Sequence, residues 1–231
     1  MATKTTGWYC ACSASVTAST ATTATITVYC YWQNNGWRYG INNVSAWVYC
    51  NGKPYQVKDA GSIDADSSNT QKVSCGSHSF TVSKTTSTQS ISCYAKITSA
   101  SSYVSGTKTS STVSVSVAAK TSYTVKYNAN GGSGAPSNQT KWYGTTLTLS
   151  STKPTRTGYT FKGWGTSASA TTVSYAAGAS YTANAAVTLY AIWTANTYTV
   201  KYNANGGSGA PSNQTKTYGV SLKLSSTKPT R

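Results

Sequence analysis

Residues Tyr123–Arg156 and Tyr198–Arg231 are two copies of one 34-residue segment, identical at 30 positions and offset by 75. Such a repeat forces both stretches into the same supersecondary unit, so the fold is one of tandem modules. The first copy continues through GYTFKGW at 158–164 to LYAIW at 189–193. The second reaches Arg231 with neither segment begun. A half unit has open edges. The sequence therefore predicts that the gene continues past Arg231 or that a neighbouring chain supplies the strands. The differences between copies also carry information. Thr148 is replaced by Lys223 between conserved leucines (Leu147 and Leu149, Leu222 and Leu224). That is period-2 alternation, with leucine inward and threonine or lysine outward. Trp142 is replaced by Thr217, so this position need not be core, and Trp142 is a candidate surface-ligand contact.

Local chemistry gives strands at 123–128, 147–150, 159–164 and 187–193, broken by an Asn130-Gly131-Gly132-Ser133-Gly134 turn with positive-φ glycines. Pro154 ends the extended stretch 153–156. Tyr127, Phe161, Trp164, Tyr190 and Trp193 suffice to fill the core of a module of ~70 residues. The glycine run is a turn and not a phosphate loop, because no Lys-Ser/Thr pair and no helix follow it.

These residues (YTVKYNANGG at 123–132, the Pro136 turn, GYTFKGW and LYAIW) resemble the Listeria–Bacteroides repeat, the B-repeat of internalin-type surface proteins. The resemblance implies small β-grasp-like modules in tandem, found on extracellular and phage-borne proteins as spacers or adhesive units, with no catalytic residues. It sets expected boundaries: a full module at 121–195 and the first half of a second at 196–231.

Residues 1–120 lie outside the repeat, and here composition decides. Ser and Thr make up 76 of 231 residues, Leu occurs five times, Glu is absent and Asp occurs only at 59, 64 and 66. This excludes a helical protein and a hydrolase built on paired carboxylates. Short β-rich runs at 24–32, 45–50, 72–75, 79–83, 90–98 and 111–118 alternate with turns at Asn34-Asn35-Gly36, Asn51-Gly52-Lys53-Pro54 and Asp66-Ser67-Ser68-Asn69. That spacing predicts one all-β sandwich. The runs 79–83, 90–98 and 111–118 resemble the C-terminal half of immunoglobulin-like or fibronectin-III-like modules of phage tail and capsid-decorating proteins. The likeness implies Cys30 and Cys93 as a candidate disulfide around Trp37 or Trp47. Ile91 stands where a tyrosine corner would place Tyr, a departure from that pattern. From the residues alone, six Cys (10, 12, 30, 50, 75, 93) allow 15 pairings, and buried free thiols compete with all of them.

His78 beside Cys75 has no acidic orienter, which argues against a Cys–His nucleophile. The stretch Asp64–Asn69 lacks the glycine and bidentate Glu of a calcium loop. No catalytic residue, metal site or cofactor is expected. Tyr31, Trp32, Trp37, Tyr39, Trp47, Tyr49 and Tyr55 form a dense aromatic cluster, of which Trp37, next to the 34–36 turn, is the second candidate surface-ligand contact. The net charge of +16 favours acidic partners. Dispersed lysines also protect strand edges, and nucleic acid is disfavoured because Arg38 is the only cation near the aromatics. No apolar leader is read in 1–7, and no apolar run reaches transmembrane length, so no membrane contact is expected.

The expectation is a non-enzymatic phage virion protein: a head fibre, capsid decoration or tail adhesin, released by lysis and present in several copies. Residues 1–120 would dock on other virion proteins, and the repeats would contact acidic glycans of host or mucus. The alternative is a bacterial cell-surface adhesin or spacer.

Overall fold

The structure is a computed structural model describing residues 8–34, 41–63, 72–100 and 105–231. It is all-β, with no helix among the described residues. Two compact units, Met1–Thr121 and Ser122–Arg231, divide the chain.

The first unit contains β1 (Trp8–Ser19), β2 (Thr23–Asn34), β3 (Ile41–Cys50), β4 (Lys53–Ile63), β5 (Lys72–Ser83), β6 (Gln89–Ala100), β7 (Ser105–Thr109) and β8 (Val113–Val117). One sheet has the order β1-β2-β5, and the other has the order β4-β3-β6-β7 with β8 also pairing β6. All pairings are antiparallel. Residues from both sheets share one core: Ile26, Val28, Cys30 and Trp32 from β2 with Val44, Ala46 and Val48 from β3 and Cys93, Ala95 and Ile97 from β6. The alternation along these strands places every second side chain in that core. Each fully buried Val or Ile contributes roughly 1.5–3 kcal/mol by leaving water. Trp8 stacks on Trp32 at 4.3 Å, and Tyr49 stacks on its register partner Tyr94 at 4.3 Å. The arrangement is consistent with the immunoglobulin-like sandwich class.

Two of the expected short runs, 72–75 and 79–83, are one strand, β5. The register with β2 shifts between Cys30 and Tyr31. This bulge absorbs Cys75, which is buried at 4 %, beside Gly76 at φ 122°. β1, β4 and β7 were not expected from the sequence.

The second unit contains β9 (Ser122–Asn128), β10 (Gln139–Trp142), β11 (Leu147–Thr148), β12 (Tyr159–Gly165), β13 (Ser180–Tyr181), β14 (Val187–Ala195), β15 (Thr197–Val200) and β16 (Gln214–Thr217). The main sheet has the order β10-β9-β14-β12, with β9 and β14 parallel. β11 and β13 form a separate two-stranded ribbon. Val125, Leu149, Trp164, Tyr181, Leu189 and Ala191 are the core, with Tyr127, Phe161 and Trp193 packed against it. Tyr190, expected in the core, is half-buried and outside this cluster because it alternates with the inward Leu189 and Ala191. β15 and β16 repeat the register of β9 and β10: Val200 faces Gln214 as Val125 faces Gln139.

Candidate functional site

The Asn130–Gly134 turn and the extended stretch 153–157 lie side by side and form the walls of an open cleft of about 910 Å³. The walls are joined by Ser133 and Thr155, whose backbones exchange hydrogen bonds of 2.8 and 2.9 Å. Asn128 Oδ1 accepts the Asn130 N–H at 2.7 Å, and Asn130 and Gly131 take φ of 48° and 86°. Asn followed by Gly is the pair that tolerates such backbone. Gly132 has a different reason to be glycine. A Cβ there would come within 2.5 Å of the Thr155 carbonyl oxygen and 2.6 Å of the Trp193 ring.

Aromatic rings line the cleft. The Trp193 indole N–H donates to the carbonyl oxygens of Ala129 (3.0 Å) and Asn130 (3.2 Å), which fixes the ring against the turn. Phe161 meets Trp193 edge-on at 5.8 Å. Tyr159 and Tyr218 meet edge-on at 5.6 Å. Tyr218 is placed by its backbone N–H, which donates to Asn196 O at 2.8 Å, and its ring lies over Gly158. The Arg156 guanidinium lies over the Tyr159 ring at 4.0 Å, a cation–π contact that leaves its edge available. Residues 122–231 contain ten Lys and Arg and no Asp or Glu, so no side-chain carboxylate of this unit competes for Arg156. An aromatic floor beside an unpaired guanidinium can stack on a sugar ring and take a carboxylate or sulfate in a forked hydrogen bond. The lining includes no carboxylate, histidine or cysteine.

The residues expected from sequence fall elsewhere. Trp142 is half-buried on β10, an edge strand, and does not line the cleft. Trp37 and the stretch Asp64–Asn69 lie outside the described residues. Cys30 (β2) and Cys93 (β6) are fully buried, on different sheets of the one sandwich core. Cys30 shares thiol hydrogen bonds with Cys10 and Cys75, and these, with burial, hold it far above the ordinary thiol range. The same contact with Cys30, opposed by burial, holds Cys75 below that range, helped by the Trp32 backbone and the charge of Lys58. His78 stacks face-to-face on Tyr55 at 3.4 Å and edge-on against Phe80, a packing role. Among the described residues, no group of three or more His, Cys, Asp or Glu could hold a metal ion.

Arg156, Tyr159 and Tyr218 were not singled out in the sequence. A signal was available: Arg156 and Arg231 are the only arginines of a unit without carboxylates, and each closes a copy of the repeat.

Residues 123–192 and 198–231 match the family model of the Listeria-Bacteroides repeat domain, the family that these segments resemble. The repeat family is associated with extracellular and cell-surface proteins and is compatible with an adhesin or spacer. No curated protein and no solved structure matches the chain.

Proposed function

We propose that the protein is a non-enzymatic attachment protein whose repeat modules contact acidic glycans. The observation that carries this reading is the cleft in which Arg156, in a unit without Asp or Glu, lies over Tyr159 beside Tyr218 and Trp193. The positive charge of the surrounding unit draws acidic polymers toward the cleft, and several copies on one surface turn weak contacts into firm attachment. The modules are of β-grasp-like type and run in tandem. The mixed sheet of order β10-β9-β14-β12, with its parallel β9–β14 pair, supports this. The Met1–Thr121 unit is the anchor, and the surface is that of a phage particle, as head fibre, capsid decoration or tail adhesin docked on other virion proteins. Its two-sheet sandwich supports this role. A second reading, a bacterial cell-surface adhesin or spacer, is favoured by the repeat family.

The test is a binding titration with an acidic polysaccharide such as polygalacturonate against its neutral methyl ester. Retention of the acidic polymer alone, weakened about tenfold or more in Arg156→Ala and in Tyr159→Ala, supports the reading. Equal retention of both polymers, or no effect of either substitution, refutes it. Sedimentation of a source lysate separates the two surfaces: comigration with capsid protein supports the virion, and recovery with cell wall supports the adhesin.

A further inference from the structure

All six cysteines lie in the first unit on β1, β2, β3, β5 and β6, and five of them are buried. One pair stands apart by its geometry. Cys50 ends β3 and Cys93 lies directly opposite on β6. Their sulfurs are 3.7 Å apart. The neighbouring Asn51 N–H donates to Ser92 O at 2.9 Å, and the Ala95 backbone is turned the other way, toward Ser110. The hydrogen-bonded pairs of this ladder are therefore 51 with 92 and 49 with 94. Cys50 and Cys93 form a non-hydrogen-bonded pair between them, the kind whose Cα atoms approach to about 4.5 Å and whose side chains are closest. That separation is within the disulfide range of about 4.4–6.8 Å, so a change in side-chain torsion alone can close the bond.

We propose that Cys50 and Cys93 form a cross-strand disulfide, a covalent staple between β3 and β6, made during folding by exchange with a small-molecule disulfide. One cysteine thiolate attacks the external disulfide and releases one thiol. The second cysteine then attacks the mixed disulfide and releases the other thiol. The two cysteines lose two electrons and two protons, and the oxidant is reduced to two thiols. Timing follows from burial. Cys50 and Cys93 are 2 % and 0 % exposed in the folded unit. Burial and the Cys50 thiol push Cys93 up to about 12, so little thiolate forms once the core has closed. In the unfolded chain a thiol has an ordinary value of about 8.5 and reacts. The staple is independent of which surface carries the protein, and its test does not use glycan binding.

The test is refolding of the denatured, reduced whole chain in buffer with oxidised and reduced glutathione, followed by alkylation, tryptic digestion and mass spectrometry without reductant. The expected product joins peptide 39–58 to peptide 85–96, with a loss of two mass units. Alkylation of both cysteines, or linkage of Cys93 to the peptide 5–38 that carries Cys10, Cys12 and Cys30, overturns the proposal. Reduction of the folded product is expected to lower its melting temperature by about 10–20 °C, for a closed loop spanning 43 residues. The double variant C50S/C93S is expected to lose that sensitivity to reductant.

Discussion

Lys141 has 0 % exposure, yet its unit, residues 122–231, contains no Asp or Glu to pair with it. Its ammonium donates to the Trp142 carbonyl at 2.8 Å and to Asn184 Oδ1 at 3.0 Å. Removing an ammonium from water costs several kcal/mol after relaxation. Two hydrogen bonds from a charged donor return about 1.5–3 kcal/mol each, so the gain and the cost nearly cancel. Neither acceptor is orphaned if the ammonium goes. Asn184 Oδ1 still takes the Gly144 N–H at 2.9 Å, and Trp142 O still takes the Thr145 hydroxyl at 2.9 Å. Lys141→Met keeps the unbranched stem and removes the charge. It should leave the second unit equal in stability or up to about 2 kcal/mol more stable. Lys141→Ala removes the stem as well and leaves a cavity, so it should be about 2–4 kcal/mol less stable than Lys141→Met. Scanning calorimetry of the whole chain reads both changes, at about 4 °C or more per kcal/mol. A Met variant less stable than wild type by 2 kcal/mol would refute the reasoning, because it would mean that the ammonium's hydrogen bonds outweigh its desolvation.

Gly132→Ala should destabilise the second unit by about 3 kcal/mol or more, since its Cβ meets the Thr155 carbonyl and the Trp193 ring, neither of which can yield cheaply. Urea denaturation followed by tryptophan fluorescence checks this, and a change under 1 kcal/mol would show that the two walls can part. Alkaline pH should also weaken this unit. Burial raises the phenols of Tyr127 and Tyr181 above their usual value, so the folded state holds protons that the unfolded chain releases. Their contribution is present below about pH 10, the unfolded value, and is lost as pH rises through the folded values. Melting curves at pH 8, 10 and 11 should show the loss beginning only above pH 9, and a flat profile would contradict the assignment.

Period-2 patterns were legible where strands bury one face. Along β11, Leu147 is half-buried, Thr148 exposed and the following Leu149 buried at 2 %, as the leucine alternation predicted. β4 was not legible. It is an edge strand carrying Pro54, Asp59 and Gly61, its burial does not alternate, and its register with β3 slips three times. β12 is legible as a strand, but its bulge is not. The register shift between Phe161 and Gly163 brings Phe161 and Trp164, three residues apart, to one core, with their rings 5.0 Å apart. Of the candidate site, the turn was readable, because Asn-Gly chemistry is local. The cleft was not, since it unites residues 131–133, 154–157, 159, 161, 193 and 218, and only the fold brings them together.

The two copies separate what the chain encodes locally from what the whole module imposes. In both, the turn has the same dihedrals: Asn130 and Asn205 at φ 48°, Gly131 at 86° and Gly206 at 85°. In both, a tyrosine hydroxyl, Tyr127 or Tyr202, donates to a glutamine, Gln139 or Gln214. The same hydroxyl accepts the N–H of Ser150 at 3.0 Å or Ser225 at 3.1 Å. The bridge between Ser133 and Thr155 recurs between Ser208 and Thr230. Both partners of each of these features lie within the 34-residue segment that is repeated. Burial is different. Leu149 is 2 % exposed beneath Trp164, Tyr181 and Leu189, all of which lie outside those 34 residues. Turn and hydrogen-bond geometry thus belong to the first half of the repeat, while its hydrophobic stabilisation comes from the strands at 159–165 and 187–195. Removing apolar partners should therefore melt the module without rewriting its turns, and the cleft walls, built from the first half, should outlast its aromatic floor.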